Sequence, residues 1–536
     1  MLSPSNAASP DGLEILSCRS LPTGEAAIAI ETELKLVARS GDLPVLRRAL
    51  GKLAAGRKPS RANLISTYYE TEDRALRRKG LTLRVREGDG RFVQTVKAIG
   101  SEKAGTLSRG EWEDVIAGGD PDLHGPETSR FLEPDIVERL KPVFRTEVRR
   151  DVVELSPAPG TRIEAAIDRG EIIAPDQKRS LAISEVELEL KSGDISALYD
   201  IAQELMATAP LRIDPRSKAE RGYELASGRR KKSATARPQP PNLDPELSAA
   251  AAFERIGRYC LDQILRNEAA ALSGDPDGVH QMRVGIRRLR AAISAFRKLL
   301  PDDERRWASE ELRWLANTLG EARNLDVFKS AVVNPARGAI PDKRDLRILT
   351  EAVRSRRQMA YSAVEGAIRS TRYSMLILRL LRWFDGRSWP EGAIAGELQR
   401  PIREVAPAML DRRRRSVERR SRSFADQSPS ERHELRIALK KMRYTAELFA
   451  SLYPARPVAE FTQQLKHLQD ALGSANDVHV GETLVPELAK DAGKSSGIMT
   501  SGQHVLDWHK RRLIKEEKKI REDVHELKQA KPFWLG

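Results

Sequence analysis

Cysteine is almost missing from this 536-residue chain, which holds only Cys18 and Cys260. Two cysteines at no ligand spacing exclude a disulfide framework and a cysteine zinc site, and a reducing cytoplasm is the expected location. Aromatic residues make up 5% of the chain. That is little for stacking nucleic-acid bases, and no groove-reading motif is present, so no specific nucleic-acid partner is expected. Long apolar runs are also absent. The greasiest stretch, Met375 to Phe384, is broken by Arg379 and Arg382, so no membrane span is expected. The opening MLSPSNAASPDG has neither a basic start nor an apolar run, so it does not read as a secretory signal. Histidine is scarce in the front half, where His124 is alone before residue 240. A Ser/His/Asp arrangement is therefore not expected there.

What is abundant is charge, and it is unevenly placed. The chain has 92 Lys+Arg against 77 Asp+Glu. Residues 1–228 hold 34 basic and 37 acidic residues, whereas residues 241–536 hold 53 basic and 40 acidic. A nearly neutral front and a strongly basic back suggest two modules, the second suited to polyanions. Between them, RRKKSATARPQPPNLDP at 229–245 reads as a basic, proline-rich, extended linker. Before it, Ala27–Ala38, Leu81–Arg86, Arg91–Ala98, Thr106–Ile116, Val143–Leu155, Arg162–Ile173 and Ala182–Lys191 alternate with period two, the pattern of strands. Asp42–Leu53 and Asp194–Ala207 fit amphipathic helices. After the linker, Ala, Leu, Arg and Glu dominate and the pattern is helical, which implies a helical bundle.

The strands carry the first chemical signal. Side chains two apart share a face. Glu31, Glu33 and Lys35 therefore point together, as do Arg84 with Arg86, Glu111 with Glu113, Arg145 with Glu147 and Arg149, and Glu185 with Glu187, Glu189 and Lys191. Lys97 follows on its own strand. Many unpaired charges cannot share a dry core. The charged faces are either all toward solvent, or they line a wet tunnel through a barrel with helices outside. Paired carboxylates suit hard divalent cations, and arginine and lysine suit phosphate oxygens. A site with both would serve a metal-bound polyphosphate chain.

The ordered set Glu31-x-Glu33-x-Lys35, Arg84-x-Arg86, Lys97, Glu111-x-Glu113 and Glu185-x-Glu187 closely resembles the CYTH family of triphosphate tunnel metalloenzymes. The closing stretch Ser217-Lys218-Ala219-Glu220-Arg221-Gly222-Tyr223 is similar to the ending of the bacterial inorganic triphosphatase branch. The resemblance covers about residues 25–228 and implies an α+β unit built on an eight-stranded antiparallel β tunnel barrel. It implies Mg²⁺ or Mn²⁺ held by Glu31, Glu33, Glu185 and Glu187. Glu111 and Glu113, on the tunnel wall, and Asp168 are added to the metal set. It implies phosphate contacts from Arg84, Arg86, Lys97, Arg145, Arg149 and Lys218. Lys35 stands with Glu31 and Glu33 in the catalytic set, as a phosphate-binding group.

The back half repeats itself. His280-Gln-Met-Arg283-Val-Gly-Ile-Arg287-Arg288-Leu-Arg290 returns as His433-Glu-Leu-Arg436-Ile-Ala-Leu-Lys440-Lys441-Met-Arg443, and Leu319-Gly320 returns as Leu472-Gly473 in the same register. Duplication of a helical unit is the simplest account. At 100° per residue, Arg283, Arg287 and Arg290 fall within about 80° of His280, opposite Met282, Ile286 and Leu289. Arg436, Lys440 and Arg443 do the same around His433. Each copy is a buried stripe backed by a cationic stripe headed by histidine. One such stripe is ordinarily a solvated face; two matched stripes point to an anion site. These segments resemble the CHAD family of all-α helical domains, over about residues 246–530. The resemblance implies binding of inorganic polyphosphate through those eight residues. The first copy departs from the second at Arg323-Asn324-Leu325-Asp326, against the more compact Asn476-Asp477. The run Asp411-Arg412-Arg413-Arg414-Arg415 either widens the same surface or is solvated.

The expected activity is metal-dependent hydrolysis of inorganic triphosphate by the barrel, with a polyphosphate-binding helical domain attached. Two alternatives stand beside it: a polyphosphate scaffold with little turnover, and a triphosphatase for an organic substrate such as thiamine triphosphate. Nothing in the sequence sets an oligomeric state.

Overall fold

In the computed structural model, the residues described are 30–98, 106–122, 124–228, 235–340, 342–385, 393–493 and 495–535. The first unit is built on nine strands: β1 (Ile30–Val37), β2 (Ser60–Glu70), β3 (Leu81–Gly88), β4 (Arg91–Ala98), β5 (Thr106–Ile116), β6 (Lys141–Leu155), β7 (Arg162–Ala174), β8 (Arg179–Ser192) and β9 (Arg212–Ile213). Pairing runs β5-β4-β3-β2-β6-β7-β8-β1, and β1 also pairs antiparallel with β5. Eight strands therefore form a ring, with the short β9 attached to β1.

Period-two alternation gives the ring its two faces. Leu34 and Leu36 of β1 point outward and are fully buried in a core with Leu46 and Leu50 of the helix Leu43–Leu53 and Leu198 and Tyr199 of the helix Ser196–Thr208. Glu33 and Lys35 point into the tunnel. A fully buried leucine contributes about 1.5–3 kcal/mol relative to exposure, and a one-residue slip would turn all of them out. This outer core therefore locks the charged face inward. Of the two arrangements the alternation allowed, the protein adopts the tunnel.

Two expectations need correction. Strand β2 was not among the strands expected from sequence. Its tunnel-facing residues are Leu64, Ser66 and Tyr68, which lack the mixed charge that marked its neighbours. On β6 the expected face is the wrong one. Arg145 and Arg149 are exposed, and Arg145 pairs with Glu147 at 2.7 Å. Thr146, Val148 and Arg150 line the tunnel instead, because the β6–β7 register sets Arg150 opposite Asp168. Phe144, on that same inner side, packs with Tyr68, Ile172, Ala219 and Tyr223.

In the second unit, helices Ala249–Leu265, Pro276–Ala295, Asp302–Val327 and Lys343–Ile368 return as Ile402–Arg420, Pro429–Leu448, Ala455–Asp491 and Ser495–Gln529. The first three starts recur at the 153-residue spacing of the motifs (249 and 402, 276 and 429, 302 and 455). Pro276 and Pro429 both open their helices, behind side-chain caps from Asp275 and Ser428, the position where a missing N–H costs nothing.

Of the 229–245 segment, residues 229–234 lie outside the described residues. The remainder is docked rather than solvated. Asn267 exchanges two hydrogen bonds of 2.9 Å with the Ala236 backbone, and Leu243 is buried with its N–H bonded to Ser451 Oγ at 2.9 Å. The two units share one continuous apolar core. Tyr199 and Arg258 both reach Asp385, a buried carboxylate where they meet. Among the described residues, no helix is long and apolar enough to cross a membrane.

Candidate functional site

The tunnel encloses about 280 Å³. One side of it is carboxylate-rich. Asp168 of β7 and Glu185 and Glu187 of β8 are buried and place one oxygen each within 4.8 Å of one another. Three buried oxygen donors with no nitrogen or sulfur donor among them fit a hard divalent cation such as Mg²⁺ or Mn²⁺. Cations surround the cluster. Lys218 Nζ lies 2.7 Å from a carboxylate oxygen of Asp168, Glu185 and Glu187 alike. Arg150 donates to Asp168 at 2.8 and 2.6 Å and also to Glu187. Arg221 reaches Glu185 at 2.6 Å, and Lys35 bridges Glu33 at 3.3 Å and Glu187 at 3.1 Å.

The other side is guanidinium-rich. Arg84 contacts Glu111 at 3.3 Å, Arg86 contacts Glu113 at 3.3 Å, and Lys97 contacts Glu111 at 2.8 Å. Glu111 and Glu113 thus belong with the cations of their own wall and not with the clustered carboxylates; the β4–β5 register puts Lys97 beside Glu111. The backbone of Glu31 pairs with Arg109 in the β1–β5 ladder; its side chain lies outside the described residues. Glu33 is buried against Lys35 and is not one of the clustered three.

These pairings set the protonation states. Burial pushes Lys35 down, but Glu33, Glu187 and Glu185 override it and hold the ammonium above its ordinary range. Lys218 is raised in the same way by Asp168, Glu185 and Glu187 against burial. Burial would raise the Glu187 carboxyl, yet Lys218, Lys35 and Arg150 hold it well below the usual range. Tyr68, which the sequence reading missed, stacks on Phe144 at 4.4 Å. Burial pushes its phenol up, and Arg84, Lys218 and Lys97 outweigh that and lower it.

The tunnel is capped by the helix Lys218–Ala226, which carries both Lys218 and Arg221. Gly222 is what allows this approach, since a Cβ there would meet the Phe144 ring at 2.0 Å.

The helical unit carries a second charged site, at the crossing of Pro276–Ala295 and Pro429–Leu448. Arg283, Arg287, Arg436 and Lys440 converge there. Burial, with Arg436, Arg287 and Arg283 alongside, pushes Lys440 down to about 7. Burial with Arg287 and Arg323 lowers Arg283 to about 10, and burial with Arg323 and Arg287 lowers His280 to about 4. Arg323, quoted from sequence as part of a departure between the copies, is therefore part of this face. So is Tyr444, whose hydroxyl accepts from Arg287 Nε at 2.9 Å. The repeated glycines are not equivalent: a Cβ at Gly320 would meet Arg283 Nη1 at 2.8 Å, whereas one at Gly473 would make ordinary contact with Arg436 Nη2 at 3.7 Å.

The outer members of the two stripes are placed differently. Arg290 is exposed, with Arg313 nearby. Arg443 pairs with Glu447 at 3.3 Å, and the exposed His433 bonds Asn476 through Nδ1 at 2.8 Å. Within the basic run at 411–415, Arg415 is exposed, while Arg412 and Arg413 turn to a helix end and not to the convergence. Arg412 and Arg413 donate to the carbonyls of Ala295 and Ala291 at the C-terminal end of Pro276–Ala295, where a positive charge meets the helix dipole.

The two sites define a class: a charge-lined antiparallel barrel joined to a duplicated helical bundle with a cationic face. Residues 29–223 match the CYTH domain and residues 255–486 match the CHAD domain, and the chain belongs to these families as a CYTH–CHAD two-domain protein. It is 32% identical over 165 residues to the inorganic triphosphatase of Haemophilus influenzae, an alignment covering 30% of this chain and 46% of that protein. It is 29% identical over 251 residues to an uncharacterized protein of Mycobacterium tuberculosis, covering 45% of this chain and 44% of the relative. The chain thus spans less than half the length of the curated relatives it matches. Among solved structures, the CHAD domain of Ricinus communis is 28% identical, with 55% of this chain and 96% of that chain covered and a TM-score of 0.49. A putative adenylyl cyclase from Hippeastrum, described as having a dominant triphosphatase activity, is 16% identical, with 36% and 95% covered and a TM-score of 0.29.

Proposed function

We propose that the barrel hydrolyses inorganic triphosphate with the help of a divalent cation, and that the helical face binds inorganic polyphosphate. The observation that carries the first part is one cavity lined by Asp168 and Glu187, which cluster with the fully buried Glu185, and on its other side by Arg84, Arg86 and Lys97. A divalent cation held by Asp168, Glu185 and Glu187 would neutralise phosphate charge and acidify a bound water.

The chain's own residues supply the rest. Arg84, Arg86, Lys97 and Arg150 replace their carboxylate contacts with phosphate oxygens and hold the chain in line for attack. Lys35 stays charged beside Glu33 and Glu187, so it acts as a fixed positive charge and not as a base. Phosphoryl transfer asks for little beyond such positioning and charge stabilisation. The cytoplasmic location read from cysteine scarcity is part of the same proposal.

The second part rests on the helical face, where Arg283, Arg287, Arg436 and Lys440 lie together and where burial, with cationic neighbours added, lowers Arg283, Arg436 and Lys440. A polyanion relieves their mutual repulsion without any metal.

The test is phosphate release by the full chain from triphosphate, ATP, thiamine triphosphate and long-chain polyphosphate, with and without Mn²⁺ or Mg²⁺. Metal-dependent release fastest from triphosphate supports the reading. Fastest release from thiamine triphosphate moves it to an organic substrate. No release from any of them, with polyphosphate still bound, leaves the scaffold alternative.

A further inference from the structure

One of the tunnel's ammoniums, Lys218, begins at a helix cap that also touches the helical unit. Ser217 and Glu220 form a reciprocal cap at the start of the helix Lys218–Ala226: Glu220 N–H donates to Ser217 Oγ at 3.1 Å, and Ser217 N–H donates to Glu220 Oε2 at 2.8 Å. Lys218 is the first residue of the capped helix, so the cap sets where its side chain starts. Its Nζ then lies 2.7 Å from an oxygen of all three clustered carboxylates. Those oxygens are the donors a divalent cation would use, so the ammonium and the cation compete for the same ligands.

Glu220 has a second oxygen, and it faces the helical unit. Oε1 accepts from Arg266 Nη1 at 3.3 Å. Arg266 stands at the end of the helix Ala249–Leu265 and is itself oriented by Asp262, which accepts from its Nε at 2.8 Å. A second strut lies just upstream: Arg212 of β9 pairs at 2.7 Å with Glu268, a residue of the helical unit that also accepts from Tyr373. Arg266 belongs neither to the cationic helical face nor to the tunnel. A partly desolvated ion pair of this kind adds little net stability, whereas it does fix a geometry. One carboxylate, Glu220, thus joins a guanidinium of the helical domain to the cap that presents the tunnel's ammonium.

We propose that Arg266, acting through Glu220, is a positioning residue for Lys218, by which the helical domain sets the competition between that ammonium and a divalent cation for Asp168, Glu185 and Glu187. The inference rests on the metal-site reading above. Loss of Arg266 frees Glu220, loosens the cap and lets Lys218 withdraw. The cation then binds more tightly, while triphosphate, deprived of a positioned ammonium, binds less well. Opposite movements of the two are the signature, because a general loss of fold would weaken both.

The experiment titrates Mn²⁺ into the full chain by calorimetry and measures KM for triphosphate in parallel. Arg266→Ala should tighten Mn²⁺ binding roughly threefold to tenfold, the lower part of the range of couplings between contacting groups, and raise KM by a similar factor. Arg266→Lys should restore part of both. Lys218→Met should tighten Mn²⁺ at least as much, and adding Arg266→Ala to it should change nothing further. Glu220→Gln, which keeps an acceptor for the cap while losing the charge, should reproduce Arg266→Ala and decides the matter if that variant does not fold. Unchanged Mn²⁺ affinity in the Arg266 and Glu220 variants overturns the proposal, as does the same Arg266→Ala effect with and without Lys218. If wild-type protein hydrolyses no triphosphate, the functional reading fails by itself, and the Mn²⁺ titrations still decide this one.

Discussion

The tunnel and the helical face both gather cations, but they treat the charge in opposite ways. In the tunnel, basic groups meet carboxylates: Arg84 and Lys97 share Glu111, Arg150 holds Asp168 and Glu187, and Lys218 holds the whole cluster. The ammoniums of Lys35 and Lys218 are consequently held above their ordinary range. On the helical face the neighbours of a cation are other cations. Burial, with those neighbours added, lowers Lys440 to about 7 and Arg283 to about 10; Asp477 is set against Arg436 and Lys440, and Asp470 against Arg436. An anion entering the tunnel must displace internal partners, which suits a selective site that works together with a divalent cation. An anion reaching the helical face relieves a repulsion already present, which suits a binding surface governed by charge and salt.

The sharpest way to test this contrast is to remove one tunnel carboxylate. Glu187→Gln should lower kcat/KM for triphosphate a hundredfold or more, about 3 kcal/mol of transition-state stabilisation. It should leave polyphosphate binding by the helical face unchanged, so a loss of both in a folded variant would break the separation of the two sites. The converse change, Arg287→Ala with Lys440→Ala, should weaken long-chain polyphosphate roughly tenfold to a hundredfold and flatten the log–log salt dependence by about 0.7–0.9 per cation removed. Triphosphate hydrolysis should not move, as read by titration and phosphate release on the same preparation.

A smaller effect separates the two by pH. Lys440 is depressed to about 7 when no anion is bound, and a bound polyanion favours its charged form. Polyphosphate affinity should therefore fall a few-fold as pH rises from about 7 to 9, with proton uptake on binding. Lys440→Arg should remove that dependence. Since the folded value lies below the unfolded one, the unliganded helical domain should also gain stability as pH rises from about 7 towards 10, measurable by thermal melting. The smallest expected effect is the most specific to β6. Arg145→Ala and Arg149→Ala should leave hydrolysis near wild type and stability within about 0.5 kcal/mol, as for surface substitutions generally, whereas Arg150→Ala should impair both metal and phosphate handling.

Several features were legible in the chain because their signal is local or repeated. Alternation along β1, β3, β5 and β8 marks one charged face per strand. The register shared by the His280 and His433 segments marks a duplication that the helix starts then follow. Features carried by a less regular pattern were not legible. The tunnel side of β2 offers only Leu64, Ser66 and Tyr68, so no charge drew attention to it. Strand β6 carries charge on both faces, so alternation could not tell Arg150 from its neighbours Arg149 and Arg145. Arg323 lies outside the histidine-headed segments and joins the cationic face only through helix packing.

The sequence alone therefore determined the two-module organisation, the tunnel-facing charges of β1, β3, β4, β5 and β8, and the doubled cationic stripe, because periods of two, of 3.6 and of 153 residues are properties of the linear chain. It was tertiary structure that decided which charges meet. The β6–β7 register set Arg150 rather than Arg149 against Asp168. The capping helix brought Lys218 and Arg221 from the end of the barrel unit onto the carboxylates, and the crossing of two helices turned separate stripes into one face. Each of these depends on pairing register or on contacts between distant segments, which the outer apolar core and helix packing fix and which no local periodicity records.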